Sequence, residues 1–110
     1  MPLIYFFFVG ILFSQSTDIL LKNGNSELEN GNLILAEDLF NKALKIDPSF
    51  APALKSLSKL YLHKGNLKKA NEYSIEAVQK DEDFREWSNV IAKISENIQN
   101  GNRNVQQGLF

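Results

Sequence analysis

Two stretches of this chain say nearly the same thing 34 residues apart: Gly31-Asn32-Leu33 returns as Gly65-Asn66-Leu67, Ala36 as Ala70, Ala43 as Ala77 and Phe50 as Phe84. A period of that length belongs to helix-turn-helix arrays, in which each unit buries its apolar stripe against the next unit and not around a private core. The shared positions read as two antiparallel helices per unit. In the first unit Leu20, Gly24 and Leu28 share one helix face and Asn30-Gly31-Asn32 breaks the helix. Leu33, Ala36, Leu39, Phe40, Ala43 and Leu44 then recur at three-and-four spacing until Pro48 stops the second helix. Small Ala36 and Ala43 let the two helices approach closely, while Leu39 and Phe40 fill the space between neighbouring units. The second unit follows with Leu54, Leu57, Leu60 and Tyr61, a break at Lys64-Gly65-Asn66, and then Leu67, Ala70, Tyr73, Ala77 and Val78; Glu82 stands in the place of the proline.

Both ends of the chain differ from the middle. Leu3 to Phe13 is an apolar run with four phenylalanines, followed by Ser14-Gln15-Ser16-Thr17-Asp18. A spanning helix needs about 20 apolar residues, so the run is short for one and fits the core of a secretory signal, with Ser14 and Ser16 as small residues for cleavage. No lysine or arginine precedes it, which keeps an uncleaved anchor open as the alternative. A merely buried first helix would have to cover four phenylalanines on every side. At the other end Trp87, Val90, Ile91, Ile94 and Ile98 keep helical spacing and predict an amphipathic helix over the open face of the second unit. Asn100-Gly101-Asn102, Val105, Gly108 and Phe110 resemble Asn23-Gly24-Asn25, Leu28, Gly31 and Leu33 in spacing. That likeness predicts a third unit beginning near Ile94, with extra residues between units two and three, for which a lengthened helix is one form.

Catalytic and metal chemistry find little to work with. There is no cysteine and His63 is the only histidine, which leaves no zinc cluster, no serine-histidine-acid order, no lipid-bearing cysteine and no disulfide. Gly65-Asn66-Leu67 is a turn and not a phosphate loop. The acidic runs Glu37-Asp38 and Asp81-Glu82-Asp83 read as solvated surface. With a formal net charge of −1 and interspersed signs, nucleic acid is not the expected partner, although Lys55, Lys59, Lys64, Lys68 and Lys69 make one locally basic segment.

Taken together, Leu20, Gly24, Gly31, Ala36, Phe40, Ala43 and Pro48, then Leu54, Leu57, Tyr61, Gly65, Ala70 and Ala77, resemble the tetratricopeptide repeat family over Thr17 to Phe84. Ala43-Leu44-Lys45-Ile46-Asp47-Pro48 is very close to the family's usual repeat ending. The resemblance implies an all-α, TPR-like α-solenoid: repeats at 17–50 and 51–84 after a leader or anchor at 1–16, then a capping helix or truncated third repeat at 85–110. Departures are Asn23, Glu27, Ser58 and Ser74, where leucine, an aromatic, glycine and a large apolar residue are usual; they predict loosened packing.

The resemblance further implies a non-enzymatic scaffold without cofactor, whose successive first helices line a concave groove for an extended peptide or partner helix. Carried over by position, the groove holds Asp18, Leu21, Lys22, Asn25, Leu28 and Glu29 from repeat one. Pro52, Lys55, Ser56, Lys59, Leu62 and His63 face it from repeat two. The family's clamp for a terminal carboxylate wants lysine at Leu21 and asparagine at Ser56, so only Asn25 matches. The expected setting is the cell envelope, periplasmic or secreted, with membrane contact only through residues 3–13 if these are retained. Two other readings stand beside the adaptor: a chain that associates with itself to complete its core, and the front of a longer protein with its working domain beyond Phe110.

Overall fold

The computed structural model describes the backbone of residues 2–106 and the side chains of residues 16–100. Five α-helices follow one another: α1 (Pro2–Glu29), α2 (Leu33–Ile46), α3 (Ala51–His63), α4 (Leu67–Lys80) and, after a 3₁₀ turn at Glu82–Phe84, α5 (Arg85–Gln106). Among the described residues there is no strand. Neighbours in sequence pack as neighbours in space, α1 on α2, α2 on α3, α3 on α4 and α4 on α5. The signal or anchor expectation rests on side chains that lie outside the described residues, as does the likeness built on Val105, Gly108 and Phe110. Among the described residues no helix is long and apolar enough to cross a membrane.

Identical backbone chemistry turns the chain in both pairs. Asn32 N–H reaches back to Glu27 O at 2.8 Å and Gly31 N–H to Leu28 O at 3.1 Å; Asn66 N–H reaches Tyr61 O at 2.9 Å and Gly65 N–H reaches Leu62 O at 3.0 Å. This paired closure satisfies carbonyls that the helix end leaves open and needs a left-handed residue. Gly31 and Gly65 supply it at φ 84° and 77°. A Cβ on either would meet nothing within 4 Å, so glycine is required here by conformation and not by space.

The linkers between pairs repeat as well. Asp47 accepts Ser49 N–H through its side chain at 3.0 Å and Phe50 N–H through its carbonyl at 3.1 Å. Asp81 does the same for Asp83 at 3.0 Å and Phe84 at 3.2 Å. The second linker therefore turns without a proline, because the aspartate, not Pro48, closes the loop. Its consequence is register: α5 begins at Arg85, 34 residues after α3 begins at Ala51. α5 is long, 22 residues against 13 for α3, and Asn100 and Gly101 fall inside it.

The core runs through the array as Leu28, Ala36, Phe40, Leu57, Leu60, Tyr61, Ala70 and Ile91. Gly24 faces Phe40 of α2 at close range: a Cβ there would sit 2.5 Å from Phe40 Cε1. Phe40 thus packs within its own unit and, fully buried, also joins the core shared with the next. At the equivalent places in the second unit Ser58 and Ser74 are fully buried, contrary to the expected loosening. Ser58 O–H donates to Lys55 O at 2.6 Å and Ser74 O–H to Asn71 O at 2.8 Å, with Ser88 Oγ 3.4 Å from Ser74. α5 covers this unit through Ile91, which is fully buried, and half-buried Trp87. Val90 and Ile98, expected in the same cover, stay 49% and 45% exposed, since a helix that packs one face on α4 turns its flanks to water.

Candidate functional site

Residues three and four apart along α1 and α3 present matching faces, and between them lies a cleft of about 310 Å³. Leu21, Asn25, Leu28 and Glu29 form one wall and Pro52, Lys55, Ser56 and Lys59 the other, with Phe84 at the side. Ser56 O–H donates to Asn25 Oδ1 at 2.7 Å across the cleft, tying the two repeats together. Because that bond occupies the amide oxygen, the Asn25 NH₂ is left as a donor.

Lys55 is held by a closed circuit. Its ammonium lies 5.3 Å from the centre of the Trp87 ring. The indole N–H donates to Ser58 Oγ at 2.5 Å, and Ser58 donates in turn to the Lys55 carbonyl at 2.6 Å. A cation over an indole face is attracted by the ring quadrupole, so Trp87 fixes where Lys55 carries its charge. The cleft combines two ammonium groups and an amide donor with an apolar floor of Leu21, Leu28, Pro52 and Phe84; Glu29 is its one carboxylate. Such a lining suits a chain segment bearing acidic and apolar groups.

Of the residues expected in the groove, Leu21, Asn25, Leu28, Glu29, Pro52, Lys55, Ser56 and Lys59 come together in the cleft. Lys22 lies beside it, in a shallower hollow with Asp18, Leu21, Asn25, Ser26 and Glu29. Leu62 and His63 do not line it. Leu62 packs against the core, and His63 is exposed at the end of α3. Phe84 and Trp87 were missed by sequence reasoning, although the return of Phe50 as Phe84 carried the signal for the first.

A second polar cluster joins the repeats away from the cleft. Glu37 takes the Tyr61 hydroxyl on one carboxylate oxygen and Lys64 Nζ, at 2.9 Å, on the other. Tyr61 stacks on Tyr73 at 5.5 Å, with Lys64 and Lys69 at 5.2 and 4.9 Å from its ring centre. Glu37 is therefore not the solvated residue its sequence neighbourhood suggests. The Tyr61 hydrogen bond, then that of Lys64, hold its carboxyl below the ordinary 4.5. The same bond and burial push the Tyr61 hydroxyl up to about 12. The pair ties α2 to α3 and contributes to stability, not to the cleft.

The family model of the tetratricopeptide repeat matches residues 27–94, more than half of the chain. The chain belongs to the tetratricopeptide repeat family. Repeats of this family generally mediate protein–protein interaction and are typically non-enzymatic scaffolds. The matched span takes in both positive-φ turns, the wall of the cleft on α3 and the first part of α5. None of the curated proteins matches the chain.

Proposed function

We propose that this tetratricopeptide repeat protein is a non-enzymatic adaptor that holds an extended segment of a protein partner in the cleft between α1 and α3. The observation that carries this reading is the convergence of Asn25, Lys55, Ser56 and Lys59 from two repeats on one cleft with an apolar floor. Donors at its rim orient a partner's carboxylates, and the floor takes an apolar side chain; shape and charge discriminate without any bond being made or broken. The family's terminal-carboxylate clamp is not part of this proposal, because Leu21 and Ser56 occupy two of its positions. The apolar run from Leu3 to Phe13 supports export to the cell envelope, with the run either removed or retained as an anchor.

Two experiments test this. Partners co-purified with the protein from its own cell are lost in the K55E/K59E variant and kept in K80E, a change on exposed α4 surface; equal retention by both variants contradicts the cleft. Intact mass of the same material tests export: cleavage gives a front end beginning near residue 17, and an intact leader in a cytosolic fraction refutes it.

A further inference from the structure

α2 and α4 hold the same place in successive repeats, but their solvent-facing sides differ in chemistry. On α2, Leu35, Leu39, Lys42 and Ile46 recur at four-three-four spacing, the seam along which two helices pack. Leu35 and Ile46 are 47% and 39% exposed, and Ile34 beside them is 85% exposed. Ile34 and Leu35, with Leu33 and Asp38, line an open hollow of about 810 Å³ at the start of the helix. Thirty-four residues on, α4 carries Lys68 for Ile34, Lys69 for Leu35, Tyr73 for Leu39, Glu76 for Lys42 and Lys80 for Ile46. Contact with water accounts for the lysines of α4 and not for the contiguous aliphatic residues of α2.

We propose that this face of α2 is the interface of a two-fold dimer, α2 packing antiparallel on α2 of a second copy of the chain. A two-fold contact must be self-complementary, and this seam is. About a centre between Phe40 and Asn41, Leu35 meets Ile46 of the second copy and Leu39 meets the stem of its Lys42. Asp38 comes alongside Lys42 and Lys45 of the second copy. Within one chain Lys42 and Asp38 form an exposed ion pair at 3.0 Å, so these charges change partners and none is left unpaired. The same pairing of α4 would set Lys69 against Lys80 and Glu72 near Glu76, which excludes it by like-charge repulsion. One helix of 14 residues, about 21 Å long, offers a contact at the low end of specific interfaces, so association is weak and depends on concentration. None of the residues that line the cleft belongs to α2, so the dimer keeps both clefts open and presents two of them to one partner chain. The inference goes beyond the adaptor reading and does not depend on it.

The test is the mass of the full chain by sedimentation equilibrium over about a hundredfold range of concentration. The parent passes from monomer to dimer. L35K/I46K, which gives α2 the lysines that α4 carries at the same places, stays monomeric with the helical circular dichroism of the parent. K42E weakens association about fivefold or more, because it sets Glu against Asp38 of the second copy. I75K, on exposed α4 surface, leaves association unchanged. The chain has no cysteine, so single substitutions report the pairing: L35C mixed with I46C gives the mixed disulfide on mild oxidation in excess over either like pair. A parent that stays monomeric throughout, an L35K/I46K variant that associates as the parent does, or an I75K variant weakened as much as K42E overturns the interface. A disulfide formed chiefly between two L35C chains overturns the antiparallel pairing.

Discussion

The two helix pairs share their turns and differ in their interiors. In α1/α2 the crossing is one large side chain against none: Phe40 lies where any Cβ on Gly24 would be. In α3/α4 the same two places hold Ser58 and Ser74, and the volume that a phenylalanine would fill is taken up by α5, whose Trp87 bonds to Ser58 and whose Ser88 meets Ser74. The first pair is locked by its own packing. The second is locked through the helix that follows it, so the fold of the second repeat and the position of Lys55 in the cleft are tied together. Backbone turns tolerate only glycine at Gly31 and Gly65, whereas an interior contact can be redistributed if total volume and hydrogen bonding are kept.

The largest effect is expected where packing alone holds a pair. F40A should lower stability by about 3–5 kcal/mol, enough to unfold much of so small an array, and G24A by about 1–3 kcal/mol through overpacking. Combining G24A with F40L should cost less than the sum of the single changes, as read from urea midpoints, because the smaller side chain frees the space that the new methyl needs. Next is S58A, which leaves the indole N–H of half-buried Trp87 without its acceptor and should cost about 1 kcal/mol. Since Trp87 is the only tryptophan, its emission should shift with that variant, and an unchanged spectrum would argue against the polar seam.

Tyr61 sharpens the comparison through pH. Glu37 is depressed when folded, so its contribution is present above 4.5 and is lost as pH falls through the lowered folded value. The Tyr61 hydroxyl is raised from 10.0 to about 12, so its contribution is present below 10 and is lost as pH rises towards 12. Y61F should cost roughly 1–2 kcal/mol near neutrality, and the gap to the parent should narrow at both ends of the pH scale. A gap independent of pH would mean that the hydroxyl–carboxylate bond contributes nothing. The smallest contrast lies at the helix starts. Asn66 accepts Lys69 N–H at 3.1 Å, while Asn32 makes no such cap and instead donates to Glu27 at 2.6 Å. N66A should therefore cost about 1 kcal/mol and N32A less, measured by thermal unfolding.

Period and turn chemistry made the helix pairs legible, because glycine at positive φ and small residues at close crossings leave a direct trace in sequence. Asn25, Glu29, Lys55, Ser56 and Lys59 were legible for the same reason, since the register of a repeat fixes which face a residue occupies. The misplacements have physical causes. Leu62 and His63 sit at the end of α3, where the helix face has rotated towards core and solvent. Reading Pro48 as the stop hid the role of Asp47 and Asp81, and with it the register of α5. Ser58 and Ser74 read as weak packing in the sequence because their partners, Trp87 and Ser88, come from the following helix, outside the repeat that holds the two serines.

One measurement tests the central claim most directly: a photo-crosslinking residue placed at Lys59, in the cleft, and separately at Ile75, on exposed α4 surface, in the protein expressed in its own cell. The account predicts a crosslink to a partner chain from position 59 and none from position 75. A crosslink from position 75 with none from position 59 would contradict it, and would place the binding surface on the outer helices of the array.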